Sequence, residues 1–324
     1  MTSSAARKST IVRSIFLAGG RLAFRVADVA SPGVAAAWAE RWWFRLPPPA
    51  RVDPSPGEGW RELIGGTFEV RLRGRVVRGW TWGEGPVVYL VHGWSGHAEQ
   101  LRPLVRHLLD QGLQVVAFDG LSHGHSDPGA HGRDSSDAVE LGRSLDAVAA
   151  RFGPARAVVA HSMGALSTLL ALRDGWLSTE RLVLIAPVEG VPDFLRRFRD
   201  RLRFGRRTER HLVARAERRT GYPVAELDVA RLGAQLDPRP PLLVVHDLDD
   251  RETAHSGSAR LVTHWPGARL YTTAGLGHRR ILADAAVGGA VARFAARLPV
   301  EASLHGGERP QPLPEGRGRE SSVA

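Results

Sequence analysis

Short apolar runs alternate with amphipathic stretches through the middle of the chain. Six runs have the length and aliphatic content expected of buried strands, at residues 87–91, 113–118, 157–159, 181–187, 241–246 and 268–272. Between the first two, Leu101, Leu104 and Leu108 recur at helical spacing. Strands that alternate with helices form parallel sheets. The pattern therefore predicts an α/β protein with a mostly parallel twisted sheet and helices on both faces.

Three segments depart from this alternation. Residues 67–82 alternate apolar and polar positions around Arg73-Gly74, which predicts an antiparallel hairpin at the start of the sheet. Residues 188–240 have helical spacing but no strand pattern, which predicts a helical insertion. Residues 279–298 predict one closing helix, and Asp134-Ser135 are predicted to cap the helix that carries Leu141 and Leu145.

These boundaries divide the chain into four parts. Residues 1–65 are predicted to be a basic helical arm with a proline-rich linker, and residues 66–187 and 241–300 to be the core. Residues 188–240 are the insertion. Residues 301–324 are rich in Gly, Pro, Glu and Arg, which predicts a disordered tail.

The pentad Ala160-His161-Ser162-Met163-Gly164 lies between a predicted strand and a predicted helix. A serine at such a turn, between small residues, is typical of the nucleophile elbow, usually written G-x-S-x-G. Alanine replaces the first glycine here. Ser162 on its own also fits a simpler interpretation, since serine is a favoured residue for capping a helix N-terminus.

A serine nucleophile requires a base and an acid that orients the base. Asp247, Asp249 and Asp250 follow the strand at 241–246, and His278 follows the strand at 268–272. Strand ends of an open α/β sheet meet at one edge, where such sites form. Upstream, the loop His92-Gly93-Trp94-Ser95-Gly96 follows the strand at 87–91. Backbone amides of Trp94 and Met163 are therefore candidates for an oxyanion hole.

These motifs, with a D-x-x-G-H-G-x-S-like loop at 119–126, make residues 66–298 resemble the α/β-hydrolase superfamily in its lid-bearing serine hydrolase branch. The resemblance implies an α/β-hydrolase fold, a helical lid at 188–240, Ser162 as nucleophile, His278 as general base and acid, and Asp250 as orienting acid. His92, Gly93 and His161 adjoin these groups and are candidates for the substrate pocket. The acid loop ends in Thr253-Ala254 rather than the usual valine and proline, so Asp249 or Asp247 remain alternatives to Asp250.

Composition narrows the chemistry further. The chain has 324 residues and no cysteine, which excludes disulfides and a cysteine nucleophile. It contains 13 histidines but no H-E-x-x-H motif, and we expect neither a metal nor a cofactor. No run of eighteen apolar residues exists, so no transmembrane helix is expected. Nearly all basic residues are arginine, which indicates a GC-rich and therefore bacterial source.

The formal net charge of +10 is unevenly distributed. Residues 1–80 carry a net charge of +7 and residues 192–240 carry +6, so the remainder is slightly acidic. The core is therefore not a basic platform for nucleic acid, and no nucleic-acid partner is expected. The basic arm has two interpretations, which are peripheral contact with a membrane surface and packing against the core.

We predict a cytoplasmic serine hydrolase, resembling a carboxylesterase, that cleaves an ester or related acyl bond of a small molecule through an acyl-enzyme. Two alternatives stay open at this point. An acyltransferase would use the same three residues with an alcohol or amine in place of water. A pseudo-hydrolase without catalytic activity would bind a ligand or a partner instead. The sequence does not specify the oligomeric state.

Overall fold

The computed structural model describes residues 22–47 and 65–297. One sheet of eight strands runs in the order β1-β2-β4-β3-β5-β6-β7-β8. The first three strands in this order pair antiparallel, and the remaining pairs are parallel. The strands are β1 (Gly65–Leu72), β2 (Arg75–Trp82), β3 (Val87–Val91), β4 (Gln114–Asp119), β5 (Ala157–His161), β6 (Leu182–Ile185), β7 (Leu242–Asp247) and β8 (Arg269–Thr273).

Helices cover both faces of the sheet, as the alternating pattern predicts. In chain order they are α1 (described residues 22–30), α2 (Pro32–Trp43), α3 (Arg102–Leu109), α4 (Ala138–Phe152), α5 (Met163–Arg173), α6 (Val191–Leu202), α7 (Arg206–Thr220), α8 (Val229–Ala234), α9 (His255–Thr263), α10 (Gly277–Arg280) and α11 (Ala285–Ala295). No helix in these described ranges is both long and apolar enough to cross a membrane.

Alternate residues of the central strands enter two separate hydrophobic cores. Val158 of β5 packs into a core with Leu141 of α4 and Leu169 of α5. Its neighbour Val159 points to the opposite face and packs with Leu104 of α3. All five residues of β5 are buried, as expected for a strand covered on both faces. The predicted fold class is thus confirmed.

Element boundaries differ from the prediction in two places. The side chain of Asp137, rather than Asp134-Ser135, caps α4 by accepting from the amide of Glu140 at 2.9 Å. The predicted closing helix is interrupted between α10 and α11, because Asp284 caps a new helix through the amide of Val287 at 2.9 Å. A side chain that satisfies a free helical amide starts the helix at that point. The predicted tail and most of the proline-rich linker lie outside the described residues.

The N-terminal arm packs on the insertion rather than on the sheet. Phe24 of α1 and Ala36 of α2 share a third hydrophobic core with Leu195 of α6 and Leu212 of α7. The carboxylate of Asp28 accepts from the amide of Gly205 at 2.9 Å. The arm therefore contacts this protein's own insertion, and membrane contact by its exposed face stays a prediction.

Candidate active site

Ser162 occupies a sharp turn between β5 and α5. Its backbone has φ 55° and ψ −120°, a conformation rare outside glycine that costs about 1–3 kcal/mol. Ser162 stands at the N-cap position of α5, but its side chain makes no capping hydrogen bond. The capping interpretation is therefore wrong, and the hydroxyl is available for another contact.

Two glycines permit this turn to pack closely. A Cβ at Gly93 would lie 2.8 Å from the Cβ of Ser162, and a Cβ at Gly164 would lie 2.5 Å from the carbonyl oxygen of His92. Both distances are shorter than side chains tolerate. Ala160 is accommodated because it lies within β5, where its methyl group packs into the buried core.

The structure brings Ser162, His278 and Asp250 into one hydrogen-bonded chain. Nε2 of His278 lies 3.0 Å from Oγ of Ser162, and Nδ1 lies 2.7 Å from Oδ2 of Asp250. A carboxylate only accepts hydrogen bonds, so Nδ1 carries the proton and donates it. Nε2 is then the free acceptor for the serine hydroxyl. The arrangement suits proton transfer from Ser162 to His278.

Asp250 is ionised despite its buried side chain. Burial alone would raise its pKa, but hydrogen bonds from His246, His278 and the backbone amide of Thr253 outweigh that effect and hold the pKa well below its usual range. A permanent negative charge therefore faces the His278 ring. This charge stabilises the imidazolium that proton transfer creates.

The alternatives Asp247 and Asp249 hold the loop that delivers His278. Asp249 accepts from the amide of Gly275 at 2.8 Å. Asp247 accepts from the amide of Leu276 at 3.0 Å and from the hydroxyl of Thr273 at 2.7 Å. Their carboxylates are thus occupied by the β8 loop, and Asp250 is the one that contacts the imidazole.

Thr253, in the position that departs from the family pattern, supports the acid. Its hydroxyl donates to Oδ2 of Asp250 at 2.9 Å and lies 3.3 Å from Nδ1 of His278. Its backbone amide donates to Oδ1 of Asp250 at 2.9 Å. The threonine therefore adds a hydrogen bond to the carboxylate that valine would not supply.

Sequence reasoning missed a second histidine on Asp250. His246 at the end of β7 is fully buried, and its Nε2 lies 3.3 Å from Oδ2 of Asp250. Its Nδ1 lies 2.6 Å from the hydroxyl of Ser258. Since the carboxylate only accepts, Nε2 donates and Nδ1 accepts from Ser258. His246 lies four residues before Asp250, and this spacing could have indicated the contact. The apolar run around His246 predicted a buried strand residue instead.

We predict that His246→Leu lowers kcat about fivefold and leaves KM unchanged, because leucine has no donor and Asp250 loses one orienting hydrogen bond worth about 1 kcal/mol. Steady-state kinetics on a p-nitrophenyl ester measure both constants. The matched control is His255→Leu, because His255 packs edge-on against His246 but bonds to Thr272 instead of Asp250. Equal kinetics of the two variants would contradict a positioning role for His246.

The two histidines predicted for the substrate pocket, His161 and His92, make structural contacts. His161 lines the cavity beside Ser162, and its Nε2 donates to the backbone carbonyl of His278 at 3.0 Å. Burial lowers its pKa to about 3, so it is neutral. Among the pocket candidates, Gly93 also lines the cavity.

His92 does not line the cavity, so its assignment to the substrate pocket is wrong. Its Nε2 accepts from the amide of Gly120 at 3.0 Å, and its Nδ1 lies 2.8 Å from the carbonyl of Gly93. Burial lowers its pKa to about 3. The neutral ring is fully buried and connects the β3 loop to the β4 loop.

Trp94 and Met163 lie with Ser162 and His278 on a cavity of about 1090 Å³. Met163 is the first residue of α5, where backbone amides lack a partner within the helix. The arm and the insertion form much of the remaining wall. Lining residues from these two segments include Trp42, Trp43, Phe44, Arg45, Val191, Phe194, Arg197, Phe198, Arg201 and Leu227.

Comparisons with known proteins agree with this fold. A family model described as serine aminopeptidase, S33, matches residues 85–220. The esterase Pf2001 of Pyrococcus furiosus is similar in structure, with a TM-score of 0.59 and 18% identity over 78% of this chain and 99% of the esterase. No curated protein sequence matches the chain.

Two other solved structures are also similar to this chain. Est1E from Butyrivibrio proteoclasticus with bound ferulic acid has a TM-score of 0.53 and 16% identity, over 71% of this chain and 96% of its own. The haloalkane dehalogenase DbeA from Bradyrhizobium elkani has a TM-score of 0.55 and 17% identity, over 72% and 98%. At these identities the likeness establishes the fold, and chemistry must be argued from the site itself.

Proposed function

Because this chain has the fold of the α/β-hydrolases, we propose that it is a serine hydrolase that cleaves a carboxylic ester, or a related acyl bond, through an acyl-enzyme. The observation that carries the proposal is the hydrogen-bonded chain from Ser162 through His278 to Asp250. A serine nucleophile also favours ester hydrolysis over dehalogenation, because the resemblance to dehalogenases of this fold implies an aspartate nucleophile for that reaction.

In the proposed mechanism, Oγ of Ser162 attacks the acyl carbon while its proton passes to Nε2 of His278. Amides of Trp94 and Met163 hold the oxyanion that forms on the carbonyl oxygen. His278 returns the proton to the leaving alcohol, and the acyl group remains on Ser162. A water molecule then loses a proton to His278 and attacks the acyl carbon. His278 returns this proton to Oγ of Ser162 as the bond between Oγ and the acyl carbon breaks, which releases the acid and restores the free enzyme. Asp250 stays ionised throughout and stabilises the imidazolium.

The arm and the insertion are proposed to form the substrate pocket. Trp43 of α2 meets Phe198 of α6 edge-on, with ring centroids 5.2 Å apart, and both line the cavity. Apolar walls exclude water and strengthen electrostatic contacts at the reacting atoms. We therefore assign to the insertion the role of a lid over a small-molecule acyl substrate.

A fluorophosphonate probe followed by intact-mass spectrometry tests the proposal. The wild-type protein is expected to gain one adduct, and Ser162→Ala none, because only an activated serine attacks the probe. Peptide mapping should place the adduct on Ser162. A folded wild-type protein that gains no adduct would contradict the proposal and favour the pseudo-hydrolase.

A further inference from the structure

Positively charged side chains outnumber negatively charged ones around the cavity. Arg45 of the arm, Arg197 and Arg201 of α6, and Arg279 beside His278 all line it, against two carboxylates, Asp137 and Glu252. Both carboxylates are already engaged. Asp137 caps α4 and pairs with Arg219 at 3.4 Å, while Glu252 pairs with Arg279 at 3.2 Å.

Three arginines remain on the side formed by the arm and the insertion. Arg197 lies 3.6 Å from Glu189, which it shares with Arg260 at 3.1 Å. Arg45 and Arg201 have no carboxylate within ion-pair distance in the ranges 22–47 and 65–297. Both residues are exposed, so the rim of the cavity holds two guanidinium groups to which the described part of the chain supplies no counter-charge.

These two charges share the cavity with aromatic rings. Trp42, Trp43, Phe194 and Phe198 line it as well. A cleft that carries charge of one sign raises the local concentration of ligands of the opposite sign. A neutral ester would leave this positive potential unused. Guanidinium groups bind carboxylates through paired, charge-assisted hydrogen bonds.

We propose that the natural substrate is an ester whose apolar body ends in a carboxylate, which Arg45 and Arg201 bind while the scissile bond lies at Ser162. The apolar body packs against the aromatic rings between these two points. This assignment rests on the proposed hydrolase function, and it specifies the substrate class that the function leaves open.

Matched substrates test the assignment. The p-nitrophenyl half-esters of adipic, suberic and sebacic acids carry a free carboxylate, and their methyl esters are neutral analogues with the same reacting group. For the best chain length we expect kcat/KM to be about tenfold higher for the free acid than for its methyl ester. Raising the salt concentration to about 1 M should reduce this ratio, because screening weakens charge attraction.

The double variant Arg45→Gln/Arg201→Gln should bring the ratio near one, because kcat/KM for the free acid falls about tenfold further than kcat/KM for the methyl ester. The matched control is Arg203→Gln/Arg207→Gln, which removes the same charge from exposed insertion residues that do not line the cavity. A ratio near one in the wild type at every chain length overturns the assignment. So does a ratio that survives in the Arg45→Gln/Arg201→Gln variant.

A binding measurement separates this assignment from the hydrolase proposal. Monomethyl and dimethyl suberate are titrated into Ser162→Ala, which binds without turnover, and the quenching of tryptophan fluorescence is followed. Tighter binding of the monomethyl ester, lost in the arginine double variant, supports the anion site even if no fluorophosphonate adduct forms. Equal binding of the two esters overturns the anion site even if Ser162 proves reactive.

Discussion

Ser162→Ala should reduce kcat/KM for a short p-nitrophenyl ester on the order of 10⁵- to 10⁶-fold. The substitution removes the hydroxyl oxygen that lies 3.0 Å from Nε2 of His278 and leaves the proton acceptor without a nucleophile. Residual turnover should approach the level that the oxyanion hole and binding support alone. Initial rates with a highly purified variant measure the loss.

The matched control for this experiment is Ser95→Ala. Ser95 lines the same cavity, but its hydroxyl bonds to the carbonyl of Pro47 at 3.2 Å rather than to a histidine. We expect its activity to stay within a few-fold of wild type. If Ser162→Ala kept more than about a hundredth of the wild-type rate, a different group would have to be the nucleophile.

Asp250→Asn should lower kcat by about 10³- to 10⁴-fold with little change in KM. An amide can donate to Nδ1 of His278, which then accepts, so the proton moves to Nε2 and the ring no longer accepts from Ser162. The substitution also removes the negative charge that stabilises the imidazolium. Steady-state kinetics, with circular dichroism to verify folding, measure the effect.

The choice of acid is tested by Asp249→Asn. That carboxylate accepts from the amide of Gly275, and an asparagine side-chain oxygen can keep this bond. We expect a loss of less than about tenfold, since no charge is removed from contact with His278. A larger loss for Asp249→Asn than for Asp250→Asn would contradict the assignment of Asp250.

Local sequence specified the sheet and the strand ends that carry chemistry. Buried strands are continuous apolar runs, and the carboxyl ends of parallel strands meet at one edge. The positions of Ser162, Asp250 and His278 after their strands therefore predicted one site, and the structure brings these three side chains together. The boundaries of α4 and α11 were less predictable, because several polar residues near each start could have capped the helix.

Long-range packing specified what surrounds that site. In sequence, His92 and His161 are similar, since each ends a strand and precedes a glycine or a serine. In the structure, His92 connects two loops, whereas His161 lines the cavity. The difference depends on which distant backbone group each ring meets, the amide of Gly120 or the carbonyl of His278. The arm forms a cavity wall only because α2 packs on α7, more than 160 residues later in the chain. No local pattern encodes which face of an amphipathic helix meets which distant partner, because that choice depends on the shape and burial of the whole assembled surface.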